Sequence, residues 1–343
     1  MPLFCHTIAT LNKPFGAVHS PFPSYSTHGI LAGMSHITST NHTPLSKFAF
    51  GAMQFGGKAD ETAAAQMFEA AHGAGITHFD TAYLYTDGAS ERLLGALAKP
   101  VREHLIIATK VAYDGDGDPA RLQADFDTSL SRLDMDYVDI LYLHMHVGLD
   151  LPRALEWMSK QQNAGKIRYI GVSNFAAWQV MEAVQIAREN ATRIDIIQPM
   201  YNLVKRQAEV ELLPMCMDQG ITCAPYSPLG GGLLTGKYAQ GGAGRIKSDA
   251  RYGERYSLPF MHETAAALSA LGAEIGVHPA TLAAAWAAHH IAAPTPILSA
   301  RSAAQLTPSL DAIRFDMDNA LYARISALSP APPPATDRWE ERA

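Results

Sequence analysis

Four side chains that can carry or stabilise a proton stand at the ends of predicted strands in the first half of the chain. They are Asp80 and Tyr85 in the stretch FDTAYLY, Lys110 in IIATKVA and His144 in DILYLHM. A free phenol ionises near pH 10, and a nearby ammonium group lowers that pKa because it favours the phenolate. We expect Lys110 to act in this way on Tyr85, with Asp80 holding the lysine in place. His144 can donate a hydrogen bond to a carbonyl oxygen, so the set can polarise a C=O group and protonate the alkoxide that forms.

Polar and aromatic residues follow at the ends of the later predicted strands. Ser173 and Asn174 end the fifth apolar run, Gln198 ends the sixth and Tyr226 ends the seventh. Reduction of a carbonyl needs a hydride from outside these side chains. The amide-bearing and aromatic residues are suited to hold and stack a nicotinamide ring.

The elements that must position these residues alternate regularly along the chain. Eight short apolar runs are separated by amphipathic helical patterns, several of which end near a glycine such as Gly75, Gly165 or Gly220. Eight strand–helix units in series predict parallel strands that close into a (β/α)8 TIM barrel, an α/β fold with its active site at the C-terminal mouth of the strands. An open doubly wound sheet is the alternative, but no G-x-G-x-x-G follows the first strand.

Alternation along the strands predicts which side chains enter the barrel. Ile106, Ala108 and Lys110 share one face of the third strand, and Tyr142 and His144 share one face of the fourth. We expect a single barrel domain over residues 45–328. A loose, partly disordered extension is expected over residues 1–44, and a Pro-rich tail over residues 329–343.

Composition excludes several classes of function. Of 343 residues 48% are hydrophobic, and 27 basic against 33 acidic residues give a net charge of −6. This balance lacks the basic surface that nucleic-acid binding requires, and no apolar stretch is long enough to span a bilayer. The three scattered cysteines indicate reduced thiols and a cytoplasmic location. The sequence leaves the oligomeric state open.

Six motifs in order resemble the aldo-keto reductase superfamily over about residues 45–325. They are FDTAYLY, ATK, DYVDILYLH, GKIRYIGVSNF, QPMYNL and YSPLGGGLLTGKY. The resemblance implies NAD(P)H-dependent reduction of aldehyde or ketone groups of small molecules. It further implies a catalytic tetrad of Asp80, Tyr85, Lys110 and His144. The implied cofactor contacts are Ser173, Asn174 and Gln198 on the carboxamide, Tyr226 stacked on the ring, and Ser227, Pro228, Leu229 and Gly230 under the pyrophosphate.

The segment after the eighth strand, ILSARSAAQLTPSLDA, departs in part from the family pattern. Arg301 and Gln305 fit it, whereas Ser299 and Ser309 stand where the family commonly has Gly or Lys and Asn. Thr86 likewise replaces a frequent Gly. Arg301 can pair with the 2′-phosphate of NADP. Ser302 is expected to cap the next helix and present its N-terminus to the same phosphate. We therefore expect NADPH to be preferred, with NAD remaining possible.

Two other functions compete with the reductase hypothesis. A regulatory module could keep the fold and the cofactor with little turnover. A barrel metal hydrolase could use the His144-x-His146 pair as part of a zinc site, although the later strand ends carry no further histidine. The reductase hypothesis predicts no metal and leaves Met145 and His146 available to line the substrate pocket.

Overall fold

A computed structural model describes residues 35–114, 117–238 and 241–336. Eight short strands lie within these ranges. They are β1 (Ala49–Gly51), β2 (His78–Asp80), β3 (Ile106–Val111), β4 (Val138–Leu143), β5 (Ile167–Ser173), β6 (Ile196–Gln198), β7 (Thr222–Cys223) and β8 (Ile297–Leu298).

Helices separate successive strands in the described ranges. They are α1 (Glu61–Gly73), α2 (Ala89–Ala98), α3 (Pro119–Leu133), α4 (Leu151–Asn163), α5 (Ala177–Glu189), α6 (Leu212–Gln219), α7 (Arg245–Ser248), α8 (Ala250–Arg255), α9 (Pro259–Ile275), α10 (Pro279–His289), α11 (Ala303–Leu310) and α12 (Asn319–Ser326). Short 3-10 helices cover Tyr85–Gly88, Lys99–His104, Gln207–Glu209, Gly230–Thr235 and Asp311–Ile313.

All eight strands belong to one curled parallel sheet in the order β7-β6-β5-β4-β3-β2-β1-β8. Each strand from β1 to β7 thus lies beside its neighbour in sequence, as crossover helices require. The two edges also approach each other, since Thr295 N donates to Cys223 O at 2.8 Å and Ile297 N donates to Pro225 O at 2.9 Å. This arrangement is consistent with the predicted (β/α)8 fold.

Strand alternation divides the core into two clusters. The inner cluster collects one face of the strands, including Ile106, Ala108 and Tyr142. The outer cluster joins the other strand faces to the helices, with Phe79 and Trp286 fully buried. The predicted facing of β3 and β4 is therefore confirmed.

Left-handed glycines end several helices where the sequence predicted them. Gly75, Gly165 and Gly220 have φ of 91°, 73° and 62° just after α1, α4 and α6. A side chain with a Cβ adopts this conformation at a cost. The glycines therefore stop each helix and turn the chain back towards the next strand.

Residues 35–44, which the sequence analysis assigned to the N-terminal extension, pack against the strand entrances. Ile37 is fully buried, and Ser35 Oγ lies 2.7 Å from Thr222 Oγ1. His36 Nε2 lies 2.8 Å from Asp195 Oδ1. Residues 1–34 of the predicted extension and residues 337–343 of the predicted tail lie outside the described residues. Within the described ranges, no helix has the length and apolar character needed to cross a membrane.

Candidate functional site

The predicted strand-end residues gather at the carboxyl ends of the strands. Asp80, Ser173 and Gln198 are the last residues of β2, β5 and β6. Lys110 is the penultimate residue of β3, and His144 directly follows β4. Parallel strands in one sheet bring these ends to the same edge, so residues distant in sequence become neighbours.

Lys110 and Asp80 form an ion pair inside this edge. Lys110 Nζ lies 2.5 Å from Asp80 Oδ1 and donates to Thr81 O at 2.7 Å. Both side chains are almost wholly buried. Burial lowers the pKa of Lys110, and the carboxylate of Asp80 opposes that change. The second carboxylate oxygen of Asp80 accepts from Gln198 Nε2 at 2.9 Å, a link that the sequence motifs did not suggest.

Tyr85 lies against both Lys110 and His144. The Lys110 ammonium is 5.0 Å from the centroid of the Tyr85 ring, and the Tyr85 and His144 rings meet edge to face at 6.1 Å. Burial raises the pKa of the Tyr85 phenol well above its usual value, and the Asp80 carboxylate adds to the rise. The sequence argument predicted the opposite direction. It was wrong because burial and the Asp80 carboxylate raise this pKa by more than the opposing positive charge of Arg245 lowers it.

His144 is buried beside these groups. Its Nδ1 has no hydrogen-bond partner among the described residues. Burial, followed by the positive charge of Lys110, lowers the pKa of His144 to about 3. The imidazole is therefore neutral at ordinary pH. The ring of Tyr113, from the segment after β3, packs edge to face on His144 at 5.1 Å.

Side chains outside the predicted tetrad hold the turn that carries Tyr85. Thr86 and the next residue adopt left-handed conformations, with φ of 47° and 52°. Thr86 Oγ1 donates to Phe55 O at 2.8 Å and accepts from Ser90 N at 2.9 Å. Arg132 Nη1 donates to Tyr83 O at 2.8 Å. A β-branched residue is strained in this conformation, so these bonds offset a local cost and fix the loop.

Comparison with known proteins agrees with this geometry. The sequence profile described as "Aldo/keto reductase family" matches residues 47–330, which is most of the chain. The chain belongs to the aldo/keto reductase family.

Three relatives match different shares of this aldo/keto reductase. It is 30% identical over 312 residues to "Uncharacterized oxidoreductase YrpG" of Bacillus subtilis (strain 168), covering 84% of this chain and 93% of that protein. It is 36% identical over 195 residues to "Aflatoxin B1 aldehyde reductase member 2" of Rattus norvegicus, covering 55% and 53%. It is 30% identical over 297 residues to "Probable voltage-gated potassium channel subunit beta" of Oryza sativa subsp. japonica, covering 78% and 88%. The match to the rat reductase thus spans about half of each protein.

The residues predicted to meet a nicotinamide form one hydrogen-bonded group. Asn174 Nδ2 donates to His144 O and to Ser173 Oγ, each at 3.1 Å. Asn174 Oδ1 accepts from the Tyr226 hydroxyl at 2.7 Å. Ser173 Oγ donates to Gln198 O at 3.0 Å. The group is therefore tied to the tetrad at two points, through the His144 carbonyl and through the bond from Gln198 to Asp80.

The segment after β7 adds positive charge that the sequence analysis did not predict. The 3-10 helix Gly230–Thr235 begins with three glycines of positive φ, Gly230, Gly231 and Gly232, and its N-terminus follows Ser227, Pro228 and Leu229. Lys237 comes just after it. Burial, together with the positive charges of Arg301 and Arg245, lowers the pKa of Lys237. The positive charges of Arg245 and Arg301 therefore both act on Lys237.

The residues predicted after β8 form the start of α11. Ser302 is the N-cap, with its Oγ accepting from Gln305 N at 3.3 Å. The Gln305 side chain accepts from Arg301 N at 3.0 Å. The prediction that Ser302 caps this helix is confirmed. Ser299 is exposed just past β8, whereas Ser309 is buried within α11.

The short helices α7 and α8 lie close to the tetrad, although the sequence analysis passed over them. Tyr252 and Arg245 both influence the pKa of Tyr85, the first raising it and the second lowering it. Arg245 Nη1 donates to the Tyr252 hydroxyl at 2.8 Å. No group of three or more His, Cys, Asp or Glu side chains in the described ranges is arranged to hold a metal ion.

Proposed function

We propose that this aldo/keto reductase uses NAD(P)H to reduce an aldehyde or ketone group of a small molecule, with Tyr85 as the proton donor. The observation that carries the proposal is the placement of Tyr85 against both the Lys110–Asp80 pair and His144. One phenol beside a buried ammonium and a neutral imidazole can complete carbonyl reduction once a hydride is supplied.

The proton step follows from the electrostatics of these groups. When bound, a reduced nicotinamide would supply the hydride for the carbonyl carbon. The phenol of Tyr85 is protonated at ordinary pH because its pKa is raised, so it can give its proton to the carbonyl oxygen. Lys110 stabilises the phenolate that remains, and Asp80 fixes the position of Lys110. His144 is neutral and orients the carbonyl by hydrogen bonding.

The residues at and just after the ends of β5, β6 and β7 suit the cofactor. We assign the carboxamide contacts to Ser173, Asn174 and Gln198 and the stacking surface to Tyr226. Both Nδ2 and Oδ1 of Asn174 make hydrogen bonds, so the amide is already oriented before a cofactor binds. The turn Ser227–Gly230 presents backbone with positive φ at Ser227 and Gly230. Such left-handed turns let backbone approach a ligand closely.

NADPH is the cofactor that the charges favour. Arg245 and Arg301 both place positive charge near Lys237, and a phosphate-bearing ligand would neutralise that charge. We assign Arg301 to the 2′-phosphate because a guanidinium can donate two parallel hydrogen bonds to phosphate oxygens. Gln305 holds the backbone amide of Arg301.

A regulatory module with little turnover is the second candidate. It is favoured by the similarity to the rice protein described as a probable potassium channel subunit beta, which covers 88% of that protein. The fold and the cofactor side would be the same in both cases. The two candidates differ only in whether the proton and hydride steps occur at a useful rate.

A panel of aliphatic and aromatic aldehydes and ketones, incubated with NADPH and with NADH, tests the proposal. We expect loss of reduced-nicotinamide absorbance with at least one class of carbonyl, and faster loss with NADPH. Equilibrium binding of both cofactors is measured alongside. Tight cofactor binding without oxidation across the whole panel would favour the regulatory module instead.

A further inference from the structure

His146, two residues after the tetrad histidine, is held in one orientation by Gln179. The backbone N–H of Ala176 can only donate, and it donates to Gln179 Oε1 at 2.8 Å. The other end of the Gln179 amide must therefore be the NH₂ group, which lies 2.8 Å from His146 Nδ1. Since that NH₂ group donates, Nδ1 accepts and carries no proton.

This arrangement leaves His146 with its proton on Nε2. Among the described residues, no group is hydrogen-bonded to that nitrogen, and the His146 side chain is partly exposed. The ring is fixed edge to face against Phe175 at 4.9 Å and against Trp178 at 5.9 Å. Phe175 follows Asn174, so the imidazole lies next to the group assigned to the nicotinamide. A neutral donor with a fixed direction thus stands two residues after His144 in the chain, in contact with Phe175 and Trp178.

Exposed apolar side chains follow the strands on this side of the sheet. Of the eight large hydrophobic side chains exposed in the described ranges, four follow β2, β3, β4 and β5 in turn: Leu84, Tyr113, Val147 and Trp178. The large apolar side chain of Trp178 is 65% exposed. Aromatic faces at a binding site pack well on flat apolar groups. The cations Lys237, Arg245 and Arg301 instead come from segments after β7 and β8.

We propose that His146 is a specificity-determining residue whose Nε2–H binds a second acceptor atom of the substrate. The preferred substrate would be a carbonyl compound with a flat apolar body and a neutral hydrogen-bond acceptor apart from the reacting oxygen. Tyr113 and Trp178 would contact the apolar body. This inference rests on the proposed reductase function and adds the class of substrate. Gln179 is a positioning residue that acts through His146.

Isosteric aldehydes test this inference directly. Benzaldehyde and the 2-, 3- and 4-pyridinecarbaldehydes have the same shape, but each pyridine isomer places one ring acceptor at a different distance from the carbonyl. His146→Phe keeps an aromatic ring between Phe175 and Trp178 and removes the donor. His72→Phe, on α1, is the matched control. Comparing each variant with the wild type cancels the different intrinsic reactivities of the aldehydes.

We expect His146→Phe to lower kcat/KM for at least one pyridine isomer by about three- to tenfold, the range for one neutral hydrogen bond. The loss should appear in KM, because the bond is made equally before and during reaction. Benzaldehyde should change by less than about twofold, and the control should leave all four substrates unchanged. An equal loss for all four aldehydes, or an unchanged preference among them, overturns the inference.

Binding measurements separate this inference from the proposed function. The same four compounds are titrated into wild type and His146→Phe and followed by tryptophan fluorescence. If the wild type turns over none of them with either cofactor, the reductase function fails for this class. A selective loss of affinity for a pyridine isomer in His146→Phe would still support the donor role. Equal affinities in the two proteins would overturn it.

Discussion

The two ends of the barrel each contain a buried carboxylate paired with cations, but the carboxylates are held differently. At the strand entrances Asp139 accepts from the backbone amide of Ile107 at 2.9 Å and pairs with Arg102 and Arg168 at 2.8 and 2.7 Å. At the strand exits the Asp80 carboxylate is instead held by two side chains, those of Lys110 and Gln198. A carboxylate anchored to backbone and to two guanidinium groups stabilises a fixed junction.

The exit pair instead supports groups that can exchange protons. The Lys110 ammonium lies 5.0 Å from the centroid of the Tyr85 ring, and His144 beside it has a ring nitrogen with no partner among the described residues. Buried polar atoms are nearly always satisfied in folded proteins. The unpaired nitrogen of His144 lies beside the Tyr85 ring, whereas both oxygens of the Asp139 carboxylate have partners. Substitutions at the two ends should therefore have different consequences. We expect loss of activity at the strand exits and loss of stability at the strand entrances.

The largest effect is expected from Tyr85→Phe at the exit end. Removal of the phenol oxygen eliminates the proposed acid, so kcat for carbonyl reduction should fall by about 10²–10⁴-fold. Cofactor affinity and thermal stability should stay near the wild-type values. Tyr137→Phe at the entrance end, where Arg102 lies 4.2 Å over the ring, should leave kcat within about twofold. Near-normal turnover by Tyr85→Phe would remove Tyr85 from the mechanism.

Asp139→Ala should have the converse effect. Breaking a buried ion pair leaves uncompensated charge and costs about 3–5 kcal/mol, and we expect the lower end because the two arginines are partly exposed. Urea denaturation should show this loss in the free energy of unfolding, with kcat of the folded enzyme nearly unchanged. Asp134→Asn, at an exposed pair with Lys99, is the control and should change stability very little. A catalytic defect in Asp139→Ala without a stability change would contradict the division of roles.

The smallest effect concerns the cofactor side of the exit end. Arg301→Ala should weaken NADP(H) binding by roughly ten- to a hundredfold, since a hydrogen bond to a charged group contributes about 1.5–3 kcal/mol. NAD(H) affinity should be nearly unchanged. Arg251→Ala, an exposed arginine on α8, serves as the matched control. Titrations that find an equal loss for both cofactors would mean that Arg301 does not recognise the 2′-phosphate.

Local patterns in the sequence were enough to predict the framework. Alternation of side chains along β3 and β4, left-handed glycines after helices and the capping of α11 by Ser302 all depend on residues close in sequence. Once eight strands are parallel, their ends must meet, and the gathering of Asp80, Lys110 and His144 is then a geometric consequence.

Only the tertiary structure decided which residues far apart in the chain come close together and which of them lose contact with water. The bond from Gln198 to Asp80 joins residues 118 apart, and the approach of Arg245 and Tyr252 to Tyr85 depends on how the segment after β7 folds back. The pKa of Tyr85 is raised rather than lowered because burial, which no motif encodes, outweighs a nearby charge. The sequence by itself determined which chemical groups reach the mouth of the barrel. Their protonation states and hydrogen-bond directions were decided only by packing, because desolvation and donor geometry depend on the complete set of neighbours.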